Sequence, residues 1–400
     1  MEINENDYAL WLRSVPGIGN TLAYRLLETG HGCRDIYEMK EEELSWALSH
    51  NQILKLKRSK AEWDFEREAQ NLSSKGIRFV SCRSPEFPEK LRDIPDPPFG
   101  IYVMGRLPDP DRPSVSIVGA RMCSDYGRYM ARQFGRDLAL AGVQVISGMA
   151  RGVDGIAQGA ALAAGGTSFA VLGCGPDICY PEENIKVYEA LLESGGIISE
   201  FPPGTKPVAN FFPMRNRIIS ALSDVLLVVE ARKKSGTSIT VDTALEQGKE
   251  VLAVPGRVTD RLSDGCNNLI SQGAGIAIRA EDVLDRLWQC AGGKDKLSAG
   301  ANDVRKDNAP AGISAAPRSE GVHPDECAVE DYEIEEREKS LDEEILDIVD
   351  IIPVSMTSIM EELYRRGKEI PIPLLMNRLM DLTGNGSIIQ NGAYYRRLAG

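Results

Sequence analysis

Six short apolar runs recur between Ser114 and Val254. They are Ser114-Val115-Ser116-Ile117-Val118, Val143-Gln144-Val145-Ile146, Ser168-Phe169-Ala170-Val171-Leu172, Gly196-Ile197-Ile198-Ser199, Val225-Leu226-Leu227-Val228-Val229 and Glu250-Val251-Leu252-Ala253-Val254. Each is too short for a typical helix, and a near-continuous apolar run suits a strand covered on both faces. Helical segments fall between most of them. That alternation predicts an α/β core over residues 114–290, a Rossmann-like doubly wound parallel sheet. Ligands in such sheets bind beyond the carboxyl ends of the strands. Those ends here carry Gly119-Ala120-Arg121, Ser147-Gly148-Met149-Ala150-Arg151-Gly152-Val153-Asp154, Gly173-Cys174-Gly175, and Glu230-Ala231-Arg232-Lys233-Lys234-Ser235-Gly236-Thr237.

Residues 1–75 are helical in pattern, with Leu10, Leu12, Leu22, Leu26, Leu27, Leu44, Leu48, Leu54 and Leu56 as the expected core of a SAM- or helix-hairpin-helix-like domain. Val15-Pro16-Gly17-Ile18-Gly19 reads either as the phosphate-approaching turn of a helix-hairpin-helix or as a plain tight turn between packed helices. Residues 76–113 hold short extended pieces and several prolines, which suits a connector packed on the core. Residues 291–338 are rich in small and acidic residues and too poor in large apolar groups to fold alone, so a flexible acidic linker is expected. From 339 to 400 the pattern predicts three helices, the second capped by Ser355 and the third spanning Pro373 to Leu382. A two-stranded wing around Asn391-Gly392 completes a winged-helix-like domain.

The net charge of −13 argues against a surface that coats nucleic acid throughout. Charge position matters more than the total. From Ser114 to Glu230 nine Lys/Arg face eleven Asp/Glu, whereas 291–338 holds six against twelve and supplies much of the imbalance. A local basic groove in the core is therefore compatible with an acidic chain. The eight cysteines include no C-x-x-C pair, and His31, His50 and His323 are the only histidines, so no metal site is expected. Unpatterned thiols, an acidic N-terminus without a signal sequence and no apolar stretch of membrane length predict a cytoplasmic protein.

The loop after the first core run reads G-A-R-M-C-S, so the dinucleotide fingerprint is absent, and no phosphate-binding P-loop motif occurs. The core lacks a histidine for nucleophilic catalysis. No catalytic residue and no cofactor is expected. Binding groups are plentiful by contrast. Phe212-Pro213-Met214-Arg215-Asn216-Arg217 opens a helix with guanidinium and amide donors added to its free N–H groups, a place suited to phosphate. Arg215 and Arg217 point in different directions, so one can reach ligand while the other pairs with Glu200 or Asp224. Arg121 either meets a backbone phosphate or pairs with Asp125 or Asp154. Lys234-Ser235-Gly236-Thr237 is a further donor cluster or an ordinary capped helix start. Phe211 and Phe212 either stack on a base or pack in the core.

Ser116-Ile117-Val118-Gly119-Ala120-Arg121, Ser147 to Asp154, Pro213 to Ser220, Lys234 to Thr237, and Val254-Pro255-Gly256 followed by Ser263-Asp264-Gly265-Cys266-Asn267 occur in this order. Together they resemble the DNA processing protein A family, also called DprA or Smf, over about residues 80–285. The resemblance implies a non-enzymatic recombination mediator of natural transformation. Such a protein binds incoming single-stranded DNA, protects it, helps load the RecA recombinase, and works as a homodimer. It implies DNA contacts at Arg121, the principal one, and at Phe212 and Lys234 lining the same pocket. The residues themselves add Gly119, Lys206, Arg215, Asn216, Arg217, Ser235 and Gly236 as candidate DNA contacts. One departure stands out. Ala209 occupies a position where the family often has lysine, with Lys206 nearby.

Two other classes compete. A phosphoribohydrolase of the lysine-decarboxylase-like group has paired acids after its glycine motif. Here Ser235-Gly236-Thr237 runs on into Ser238, Ile239 and Thr240. A winged-helix DNA regulator would read bases from the third C-terminal helix, which offers only Arg378 beside Asn377.

Overall fold

The computed structural model describes residues 3–28, 30–233, 235–290, 340–349, 354–366, 368, 370–391 and 394–396. The linker expected at 291–338 and Lys234 therefore lie outside the described residues.

Six helices open the chain: α1 (Glu5–Ser14), α2 (Asn20–Leu27), α3 (Cys33–Glu38), α4 (Glu41–Leu44), α5 (His50–Glu62) and α6 (Phe65–Ser74). Asn4 caps α1 by accepting from the Asn6 and Asp7 N–H groups, while the Asp7 carboxylate accepts the Asn4 N–H at 2.9 Å. This reciprocal box satisfies donors that a helix start otherwise leaves orphaned. Ala9, Leu10, Trp11 and Leu12 span a full turn and are all buried, so neighbours surround α1. In the turn between α1 and α2, Gly17 adopts φ of 91° while Val15 and Ile18 are buried. Among the expected core leucines, Leu54 is exposed, because α5 turns Ile53 and Leu56 inward instead. Leu22 and Leu27 are only partly buried.

This helical cluster shares its core with the sheet. One apolar cluster runs from Trp11 and Leu26 through Phe79 and Phe99 to Ile198 and Leu226 of the sheet. The connector also does more than pack. It contributes β1 (Ile77–Ser81) and β2 (Gly100–Gly105), an antiparallel pair, and β2 runs antiparallel to the edge of the core sheet.

The core alternates as expected: β3 (Ser114–Val118), α7 (Asp125–Leu140), β4 (Gln144–Ser147), α8 (Val153–Ala163), β5 (Ser168–Leu172), α9 (Ile185–Ser194), β6 (Gly195–Ser199), α10 (Phe211–Leu222), β7 (Val225–Val228), α11 (Gly236–Glu246), β8 (Glu250–Ala253), α12 (Asp264–Ser271), β9 (Gly275–Ile276) and α13 (Ala280–Cys290). The nine strands order as β1-β2-β6-β5-β4-β3-β7-β8-β9, with β3 to β9 parallel wherever they pair. Within β7 and its exit, Val225, Leu227 and Val229 pack with α7, α8 and α13, while Leu226 and Val228 pack with α10 and α11. A run apolar at every position thus feeds two cores through the period-two alternation of a strand. Helices α7 and α8 pack backbone to backbone. A Cβ at Gly135 would lie 2.2 Å from the Ala157 carbonyl oxygen.

The C-terminal residues form a second compact unit. It comprises α14 (Leu341–Ile348), β10 (Val354–Ser355), α15 (Met356–Arg365), α16 (Ile372–Gly384), β11 (Ile389–Asn391) and β12 (Tyr394–Arg396). Ile345, Ile359, Leu363, Leu375, Leu379 and Ile388 make its core. Strands β11 and β12 pair antiparallel as the expected hairpin does, and β10 adds a third strand beside β12. The Gly392 of the expected turn lies outside the described residues.

Candidate nucleic-acid interface

The chain builds outward from β3 to β4, β5 and β6, then crosses back to place β7 on the other side of β3. The loops leaving β3 and β7 therefore diverge. Beyond their carboxyl ends opens a cleft of about 480 Å³, lined by Gly119, Arg121, Phe212, Arg215, Asn216, Ser235 and Gly236 among others. This is the switch point at which open α/β sheets bind ligands. Seven of the ten expected contacts thus come together. Lys206 is exposed on the loop before α10 and does not line the cleft, Arg217 is buried away from it, and Lys234 lies outside the described residues.

Arg121 follows β3 and is exposed at the cleft, its guanidinium carbon 5.5 Å from the centre of the Phe212 ring. Neither of the carboxylates considered as its partner takes it. Asp125 lies 3.8 Å from Arg128, and Asp154 is buried and accepts the Gly148 N–H at 3.2 Å. A guanidinium held against a ring face and not paired to an acid among the described residues keeps its donors for an incoming acceptor. Gly119 has a packing role, since a Cβ there would lie 2.7 Å from Val153 Cγ2 and 2.9 Å from the Glu230 carbonyl oxygen. Arg232, exposed just after β7, also lines the cleft. Sequence reasoning passed over it inside Glu230-Ala231-Arg232-Lys233-Lys234, although its place beyond a strand end was the available signal.

Arg215 and Arg217 form a buried clamp. Arg215 donates through one guanidinium nitrogen to the carbonyls of both Gly148 and Val171, tying the α10 start to the ends of β4 and β5. Gly148 must be glycine for this, because a Cβ would sit 2.2 Å from that guanidinium. Burial pushes the Arg215 pKa down to about 10, with Asp154 opposing that shift. Burial likewise raises the Asp154 carboxyl, with Arg215 opposing. Arg217 donates to Glu200 at 2.9 Å and to the Asp96 carboxylate at 3.0 Å, and Glu200 also accepts from Asn20 of α2 at 2.5 Å. Of the two partners weighed, Glu200 is the one used. Asp224 pairs with Lys90 at 2.7 Å.

The start of α7 settles a different point. In dinucleotide-binding sheets the first helix presents its N-terminus to pyrophosphate. Here the Glu230 carboxylate already occupies that place. It accepts the Ser124 N–H at 2.9 Å and the Ser124 hydroxyl, and a Cβ at Gly127 would lie 2.1 Å from it. The helix dipole is met by the protein's own anion. The starts of α10 and α11 remain at the cleft, through Phe212 and Pro213 and through Ser235 and Gly236. Among the described residues, Ser235 Oγ and Arg215 Nε are buried without a hydrogen-bond partner.

The fold and cleft thus define a Rossmann-like protein with arginines at its switch-point cleft and a glutamate at the usual nucleotide position. A family model described as DNA recombination-mediator protein A matches residues 78–288. Protein Smf of Synechocystis sp. is 32% identical over 293 residues, 72% of this chain and 74% of that protein. Protein Smf of Escherichia coli is 42% identical over 209 residues, 52% of this chain and 56% of that protein. The X-ray structure of DNA processing protein A from Streptococcus pneumoniae superposes with a TM-score of 0.62 at 30% identity, covering 71% of this chain and 98% of that one. The chain belongs to the DNA recombination-mediator protein A family.

Proposed function

We propose that this protein binds single-stranded DNA without sequence preference and acts as a recombination mediator in natural transformation. It shields the strand and hands it to a RecA recombinase. It works in the cytoplasm as a homodimer and catalyses no reaction. The observation that carries this reading is the Arg121 guanidinium, paired with no acid among the described residues and held over Phe212 at the switch-point cleft, beside a helix start closed to nucleotide by Glu230. Cation and aromatic face together suit an unpaired strand, whose phosphates meet charge and whose bases meet a π-surface. Family membership supports the same reading.

The regulator alternative finds less support. Arg378, the cation of its would-be reading helix, lies 3.7 Å from Asp342 and 3.9 Å from Asp381. A gel-shift titration with oligonucleotides of unrelated sequence, in single-stranded and duplex form at several salt concentrations, tests the proposal. Uniform single-strand affinity that falls steeply with salt is expected. A discrete protected duplex site would favour the regulator. Release of free base from a nucleoside monophosphate would favour the phosphoribohydrolase.

A further inference from the structure

Phe212 has an aromatic neighbour outside the cleft. Tyr180, in the loop after β5, places its ring centre 5.4 Å from that of Phe212 with the planes 34° apart. Tyr180 is 43% exposed, and among the described residues its hydroxyl has no hydrogen-bond partner. An exposed ring without a bond at its polar end contributes little to a core. It also does not line the cleft.

The loop that carries Tyr180 is pinned at many points. Gly175 N–H donates to the Thr205 carbonyl at 2.9 Å, and the Asp177 carboxylate accepts the Gly204 N–H at 2.7 Å and Lys75 Nζ at 2.9 Å. Beyond the tyrosine, the Asn184 side chain donates to the carbonyls of Met149 and Ala150 at 3.0 and 3.2 Å. Tyr188 closes the loop through its hydroxyl, which donates to the Pro176 carbonyl at 2.6 Å. The ring is therefore presented on a scaffold already in place, and a ligand stacking there orders no loop. The Phe212 ring centre itself lies 5.5 and 5.8 Å from the guanidinium carbons of Arg121 and Arg215.

We propose that Tyr180 is a second stacking subsite for an unpaired nucleobase, which carries the strand out of the cleft past Phe212. This deepens the single-strand reading and rests on it. A centre-to-centre step of 5.4 Å exceeds the rise of about 3.4 Å between stacked bases, so the two rings suit neighbouring bases of a stretched strand. The ligand class follows from the rings. Flat apolar faces accept any base, and the uncommitted phenol hydroxyl faces solvent where sugar and phosphate oxygens pass.

The test uses the full chain and oligothymidylates of increasing length, read by fluorescence anisotropy. Tyr180→Ala should lose roughly fivefold or more in affinity for the longer oligonucleotides, and Tyr180→Phe should keep most of it. In Tyr180→Trp the indole emission should be quenched as the strand binds, a readout that a merely structural role would not move. Thermal unfolding of all three variants should match the wild type, because the ring is exposed. Unchanged affinity in Tyr180→Ala together with unquenched Tyr180→Trp, while wild type binds and Arg121→Ala does not, overturns the subsite alone. Absence of strand binding by the wild type overturns the subsite and the function it rests on.

Discussion

Two guanidinium groups of unlike environment approach the Phe212 ring, Arg121 at the surface and Arg215 buried. Arg121 is exposed and pairs with no acid among the described residues, whereas Arg215 is held by the Gly148 and Val171 carbonyls. Arg121→Ala should weaken single-strand binding about tenfold or more across all sequences and lower the salt slope by about one, as measured by gel shift at several ionic strengths. For Arg215 the expected loss is in stability. Asp154 carries a raised carboxyl pKa that Arg215 already holds down, so Arg215→Met should raise it further. A carboxyl with a folded pKa above its unfolded value leaves stability intact below the unfolded value of about 3.9 and takes it away as pH rises towards the folded value. The stability deficit of Arg215→Met should therefore be larger at pH 8 than at pH 4, measured by urea unfolding. Arg217→Ala breaks a buried pair with Glu200 and should cost about 3–5 kcal/mol in the same assay.

Among the elements, the start of α7 matters most, because Glu230 both caps the helix and holds the loop that carries Arg121. Glu230→Ala should remove about 1–2 kcal/mol from the cap and loosen that loop. Thermal unfolding should show the first effect, and anisotropy with labelled oligonucleotide should show a parallel loss of affinity. The six buried strands were legible in their apolar runs, with boundaries shifted by a residue at most. Strands β1 and β2 were legible only as short extended pieces among prolines. β1 pairs with β2, but the other partner of β2, β6, lies about ninety residues further on, so nothing local joined them to the core sheet. Leu54 failed for a similar reason, since a leucine-rich helix does not say which of its faces a neighbour will cover.

Across the whole chain, an acidic protein is proposed to bind a polyanion, which is possible because the cleft's charge is local. The cleft is built entirely from residues of the first compact unit. A fragment ending at residue 290 should therefore keep single-strand affinity within about twofold of the full chain, checked by the same titration. A larger loss would mean that the acidic segment or the C-terminal unit takes part in binding.

The chain's sequence alone determined the layered α/β core, the loops that carry the binding groups, and the family. Apolar periodicity and short ordered motifs are local properties that survive without coordinates. It also singled out Arg215-Asn216-Arg217, but as a place for phosphate. Tertiary structure decided that Arg217 is spent on Glu200 and Asp96, that Arg215 is spent on two strand-end carbonyls, and that Arg121 is left to the solvent. The physical reason is that a guanidinium's role depends on which acceptors come within about 3 Å of it, and those acceptors lie up to 121 positions away in the chain.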